Sequence, residues 1–172
     1  AGWLFSRSTG AETSDAYVTV DSPIPYTGSF TVGVRFTSTA DLDQPGAAYY
    51  MSSAAVLDGE TGWFIGELTS GGGHCFLGFD GTAPFGAAGF TLTRFDPHDI
   101  IAVANRDTNQ LIIYVDGVAQ TPVDISGMGA ITNANDLTFG GAAIPTVLHG
   151  AVLVERACNA ADIAALRQQW AS

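Results

Sequence analysis

Lysine is absent from the 172 residues, so basic character rests on six arginines against seventeen aspartates and glutamates. Without lysine there is no P-loop, no Schiff-base nucleophile and no pyridoxal chemistry. A formal charge of −11 leaves nothing from which to build a basic stripe, which excludes nucleic-acid backbones as partners. Glutamate is scarce as well: four residues against thirteen aspartates, the balance of a chain rich in turns and poor in helix. Two cysteines, Cys75 and Cys158, cannot make a disulfide framework; one bridge or two buried thiols both stay open. The longest apolar runs, such as Ile100-Ile101-Ala102-Val103-Ala104, fall far short of the roughly twenty residues of a membrane helix. The opening Ala1-Gly2-Trp3 carries neither a basic n-region nor an apolar h-region, and the compartment stays open.

What is present points to a folded β protein. Hydrophobic residues make up 47% and charged residues 13%, which excludes disorder, and the length suits one domain over residues 1–172. Short apolar runs recur every ten to fifteen residues between Gly, Asp, Asn, Pro and Thr, the rhythm of an all-β sandwich or barrel. The cleanest strand is Phe30–Phe36, with Phe30, Val32, Val34 and Phe36 on one face and Thr31, Arg35 and Thr37 on the other. Further strands are predicted at 3–6, 17–20, 48–52, 62–68, 74–79, 89–92, 100–105, 111–115, 136–139 and 148–155. Asp116-Gly117 supplies both positive-φ positions of a type I′ turn after Leu111–Val115, a strand without alternation that should be covered on both faces. One helix is predicted at the C-terminus: Asn159 is its N-cap, Asp162 sits in its first turn, and Ile163, Leu166 and Trp170 form its apolar stripe. Arg167, Gln168 and Gln169 are expected to stay in water.

Candidate site residues are few. Gly-x-Ser-x-Gly is absent, and Gly71–Gly73 reads as a flexible turn. His74, His98 and His149 stand singly, without zinc-ligand spacing. Asp41 and Asp43, in Asp41-Leu42-Asp43-Gln44-Pro45-Gly46, offer two hard oxygens in one loop, which makes calcium the cofactor to consider, against solvated turn carboxylates. In the adjacent pairs Tyr49-Tyr50 and Trp63-Phe64 one ring must point away from the core of a simple strand. Tyr50 and Trp63 are the rings expected to stack on a sugar or to pack on a partner subunit.

Three landmarks, in order, carry a family resemblance: Tyr26-Thr27-Gly28-Ser29-Phe30-Thr31-Val32; His98–Val103 with Leu111–Gly117; and Leu148–Ala157 followed by Asn159–Leu166. The chain resembles concanavalin A-like, laminin-G-like domains. That resemblance implies a two-sheet antiparallel jelly-roll sandwich with one short C-terminal helix. The family's glucanases carry a Glu-x-Asp-x-x-Glu strand; here no Glu-x-Asp occurs, and Glu60 and Glu67 are seven apart, so no enzyme is expected. Fold alone does not fix function. The opening Trp3-Leu4-Phe5-Ser6-Arg7-Ser8 is similar to phage-encoded members, and the expected role is a non-catalytic structural or interaction protein: a capsid decoration, fibre or adhesion subunit on a virion surface, binding other protein subunits. The alternative is a secreted carbohydrate-binding module, extracellular and partnered by glycans.

Overall fold

The computed structural model describes residues 3–5, 17–20, 26–38, 47–53, 60–68, 73–132, 136–140 and 146–171. Two antiparallel sheets face each other across one apolar core. The first is seven-stranded, in the order β1 (Trp3–Phe5), β13 (Thr146–Val154), β3 (Phe30–Ser38), β8 (His98–Asn105), β9 (Gln110–Val115) and β10 (Val118–Ala119), with β11 (Val123–Asp124) also on β9. The second is six-stranded, in the order β2 (Tyr17–Val20), β12 (Leu137–Gly140), β4 (Ala47–Ser52), β5 (Gly62–Leu68), β6 (Gly73–Phe79) and β7 (Pro84–Phe90). A single helix, α1 (Ala160–Ala171), follows among the described residues, and it is not long and apolar enough to cross a membrane.

Period-two alternation builds the core. Phe30, Val32, Val34 and Phe36 on β3 and Ile100, Ala102 and Ala104 on β8 meet Tyr50, Trp63, Ile65 and Phe76 from the opposite sheet. The predicted faces of β3 are the observed ones. Asp116 (φ 51°) and Gly117 (φ 79°) make the left-handed turn expected of Asp-Gly. Strand β9 is covered twice: Leu111 and Ile113 enter the core, while Tyr114 and Ile112 pack with Ile101, Val103 and Ile163 beneath the helix.

Helix α1 starts on a reciprocal cap. Asn159 Oδ1 accepts from the N–H groups of Ala161 and Asp162 at 2.9 and 3.0 Å, and Asp162 Oδ2 accepts from the Asn159 N–H at 3.0 Å. The residues leading into the helix are tied down by buried Thr31, whose hydroxyl donates to Arg156 O and accepts from Cys158 N–H. Ile163 is buried and Leu166 and Trp170 pack beside it, as the stripe requires. Arg167 departs from expectation: its Nε donates to buried Asp99 at 2.8 Å. A long arginine on the margin of an apolar stripe can reach inward to a charge that only the fold brings near.

Two strand expectations shift. The strand predicted at 89–92 lies at Pro84–Phe90, because a Pro-led, Gly- and Ala-rich segment on a sheet edge carries no β-branched signature. Strand β11, only two residues long, escaped periodicity altogether. The cysteine alternatives resolve to two free thiols, with Cys75 buried and Cys158 half-buried. Burial pushes the Cys75 thiol up to about 12, leaving it unreactive at neutral pH.

The seat of α1 depends on the missing side chain of Gly150, where an added Cβ would collide with the Trp170 indole at Nε1. Gly150→Val is therefore expected to lift the indole, cost about 1–3 kcal/mol in urea unfolding, and red-shift tryptophan emission. Unchanged stability and emission would show that α1 is not held there.

Candidate functional site

The connection from β7 to β8 crosses from one sheet to the other over residues 91–97. At its tip stands Phe95, 71% exposed and held at φ 64°. A bulky residue in left-handed backbone is an outlier that costs on the order of 1 kcal/mol and persists only where surrounding bonds impose it. Those bonds are present. The Phe95 N–H donates to Ser38 O at 2.9 Å, and Thr93 Oγ1 donates to Asp96 Oδ2 at 2.9 Å. His98 Nε2 lies 2.9 Å from Thr93 O and 3.0 Å from Thr93 Oγ1, and His98 Nδ1 lies 2.7 Å from Asp116 Oδ2. The imidazole thus pins the loop to the β9–β10 hairpin, on which Val118 is the other exposed large apolar residue among those described.

Beneath this loop the end of the core turns polar. Tyr50 Oη donates to Glu67 Oε2 at 3.3 Å, and burial, followed by the Glu67 charge, raises the phenol well above its ordinary range. Phe36 lies against Tyr50 at 4.1 Å between ring centroids and stacks on His74 at 5.8 Å. His74 Nδ1 sits 3.3 Å from Phe90 O, and among the described residues its Nε2 has no hydrogen-bond partner, the nearest Glu67 oxygen being 3.9 Å away. Burial lowers the His74 imidazole to about 4, so the ring is neutral at pH 7. The cluster supports the rim from below; it presents a packed aromatic floor rather than an open acid–base pair.

The rings expected to face a ligand do not. Tyr50 and Trp63 are completely buried, because they are the inward members of their pairs and the largest rings fill the space between the sheets. Their partners Tyr49 and Phe64 meet edge to face at 4.7 Å, with Tyr49 half-buried and Phe64 buried. Asp41 and Asp43 lie outside the described residues, and among those described no three His, Cys, Asp or Glu side chains converge on a metal position. Asp80 turns its oxygens onto the N–H groups of Thr82, Ala83 and Gly129. Sequence reasoning passed over Phe95, since its only signal was an aromatic ring within a polar, Pro-flanked loop.

Neither a protein-family model nor a curated protein sequence matches the chain. Solved structures do. The botulinum neurotoxin serotype G binding domain superposes with a TM-score of 0.77 at 12% identity, covering 99% of this chain and 43% of that one. The botulinum neurotoxin DC binding domain in complex with SialylT gives 0.72 at 12%, covering 98% and 47%. The binding domain of Paraclostridial Mosquitocidal Protein 1 gives 0.67 at 14%, covering 98% and 48%. The chain thus spans less than half the length of these solved chains, and at such identity the likeness is one of fold alone. It also corrects the expected family: the similar structures are toxin binding domains, not concanavalin A-like lectins or laminin-G domains. The landmarks behind that resemblance, an alternating strand and an Asp-Gly hairpin, are what any two-sheet antiparallel protein needs.

Because His74 folds with a pKa of about 4 against 6.5 when unfolded, its contribution to stability is fully present above pH 6.5. That contribution is lost as pH falls towards 4, by on the order of 3 kcal/mol. Chemical unfolding between pH 7 and 4 should show a shallower decline for His74→Gln than for the native chain. Parallel declines would contradict the buried neutral imidazole.

Proposed function

We propose that the chain is a non-catalytic binding module working outside the cell, with its ligand-contacting surface at the rim around Phe95 and a glycan as its ligand. The observation that carries this reading is the exposed Phe95 ring, held by its loop in a backbone conformation it would not adopt alone. A preformed aromatic surface loses little entropy on binding and offers a sugar ring an apolar face to stack on. The likeness to binding domains of toxins, one of them in complex with SialylT, supports the same reading. Residues 1–172 are read as one jelly-roll domain.

A second reading keeps the module non-catalytic but makes its partner another protein subunit, as on a virion surface. It rests on β7, an edge strand whose sequence Pro84-Phe85-Gly86-Ala87-Ala88-Gly89-Phe90 carries no charge to discourage strand pairing. Light scattering across a concentration series separates the two: a monomer throughout fits the glycan reading, and reversible self-association favours the second.

The direct test is a glycan array on the native chain and on Phe95→Ala. The variant should lose about thirtyfold in affinity for any glycan the native chain selects. Its melting temperature should stay within about 2 °C, because the exposed ring touches no core residue and alanine keeps the Cβ that φ 64° strains. Equal binding by both would remove Phe95 from the site, and no binding by the native chain would remove the glycan. Calcium at Asp41 and Asp43 is tested in the same screen, since a signal that survives chelator excludes it.

A further inference from the structure

The Phe95 loop is fastened by a ring whose two nitrogens both meet acceptors. His98 Nδ1 lies 2.7 Å from Asp116 Oδ2, and the other Asp116 oxygen already accepts from the Asp99 N–H at 3.0 Å. His98 Nε2 lies 2.9 Å from Thr93 O, which has no proton to give. It also lies 3.0 Å from Thr93 Oγ1, whose proton goes to Asp96 Oδ2. The His98 side chain is only 13% exposed, so water has little access to replace these contacts.

A neutral imidazole carries one N–H and one lone pair, whereas the imidazolium carries two N–H groups and no lone pair. With its proton on Nε2 alone, the neutral ring would aim the Nδ1 lone pair at a carboxylate 2.7 Å away. With its proton on Nδ1 alone, the Nε2 lone pair would face the Thr93 carbonyl at 2.9 Å. The Thr93 hydroxyl can turn its proton to the ring only by leaving Asp96, and the carbonyl still opposes the lone pair. Only the doubly protonated ring satisfies every contact at once. The charged groups around it come from several elements. Asp116 arrives from the β9–β10 hairpin, and Asp96 and exposed Arg94 belong to the loop itself. Asp99, next in the chain, is engaged by Arg167 and Arg35, and Phe36 stands opposite His98 on β3. From the other sheet His74 lies within reach of the His98 charge, with Glu67 beyond it.

We propose that His98 is the positioning residue of the Phe95 rim and acts only as the imidazolium: with both protons it clasps Thr93 to Asp116, and on losing one it drops Thr93 and frees the loop. Resting on Phe95 as the contact surface, the clasp makes that surface rigid in acid and loose in alkali. The clasped loop holds one proton more than the released loop, so clasping is favoured as pH falls and lost as pH rises. Histidine is the side chain whose charge ordinarily changes between pH 5 and 8. His74 leaves its neutral form only towards pH 4, below that range.

Two measurements on the intact chain, without a ligand, test the clasp. Imidazole nitrogen NMR should show His98 with both N–H groups at pH 5.5 and with one at pH 8.5. The Phe95 amide, which donates to Ser38 O, should be at least about tenfold more protected from hydrogen exchange at pH 5.5 than at pH 8.5, after correction for the chemical exchange rate. His98→Asn keeps a donor at the Nδ1 position without the reach to Thr93, so protection should be low at both pH values. Asp116→Asn keeps an oxygen for the Asp99 N–H and turns an amide N–H towards Nδ1. A neutral ring with its proton on Nε2 then satisfies Thr93, and protection should be high at both pH values. Asparagine also tolerates the left-handed backbone of position 116, at φ 51°. His149→Gln, which removes a ring bonded to Thr37 instead, should keep the native response. A singly protonated His98 at pH 5.5 or equal protection at both pH values in the native chain would overturn the clasp. So would a native response in Asp116→Asn, or its loss in His149→Gln. A silent glycan array with the response intact would remove the ligand and leave the clasp; glycan binding without the response would do the reverse.

Discussion

The buried carboxylate of Asp99 is the point on which one whole end of this molecule is organised. Placed on the outer face of β8, it is 1% exposed, accepts from Arg167 of the helix at 2.8 Å, and lies 3.9 Å from Arg35 of the neighbouring strand. A carboxylate in that position is costly unless its lone pairs are met, so helix, strand and sheet must arrive together. Its backbone is equally engaged: the Asp99 N–H donates to Asp116 Oδ1, and the Asp116 N–H returns a bond to Asp99 O. The second oxygen of Asp116 faces His98, and His98 faces Thr93. Through that sequence of contacts the exposed Phe95 loop is continuous with the docking of α1.

The same arrangement explains how an aromatic ring can stand in solvent without a mobile loop beneath it. Loops that bind are most useful when a rigid scaffold aims them. Here the scaffold is a sheet rim whose underside is filled by Phe36, Tyr50 and His74 in ring-to-ring contact. The opposite pole is built differently. Arg106 donates to the carbonyls of Met128 and Gly129, and Gly129 N–H donates to Asp80, so the turn there is fixed by backbone carbonyls and an Asx turn. The strands between the two poles are almost wholly apolar on their inner faces.

Alternation along β3, the Asp-Gly turn at 116–117 and the Asn159 cap could be read directly because each is a local rule satisfied by neighbours in the chain. Strand β7 could not, since its residues have weak intrinsic preference and only the exposed edge of β6 makes them a strand. Tyr50 and Trp63 were legible as members of aromatic pairs, but which ring of each pair points inward depends on register. That register includes the irregularity between Tyr49 and Met51 on β4. Family resemblance failed for a related reason: the matching segments encode the requirements of a two-sheet sandwich, and many unrelated chains meet them.

Composition and patterning by themselves determined an all-β chain with one C-terminal helix, a strong excess of acidic over basic residues, and the absence of lysine-based chemistry from these residues. These follow from which residues are present and from periods of two and 3.6 along the chain. Tertiary structure alone decided that Phe95 is the ring left in solvent, that Arg167 turns inward to Asp99, and that Thr93 and Asp116 both turn acceptors on His98. Each of those outcomes joins residues from connections distant in sequence. The free energy of a buried charge or an exposed ring depends on what the fold places beside it, and no local pattern carries that information.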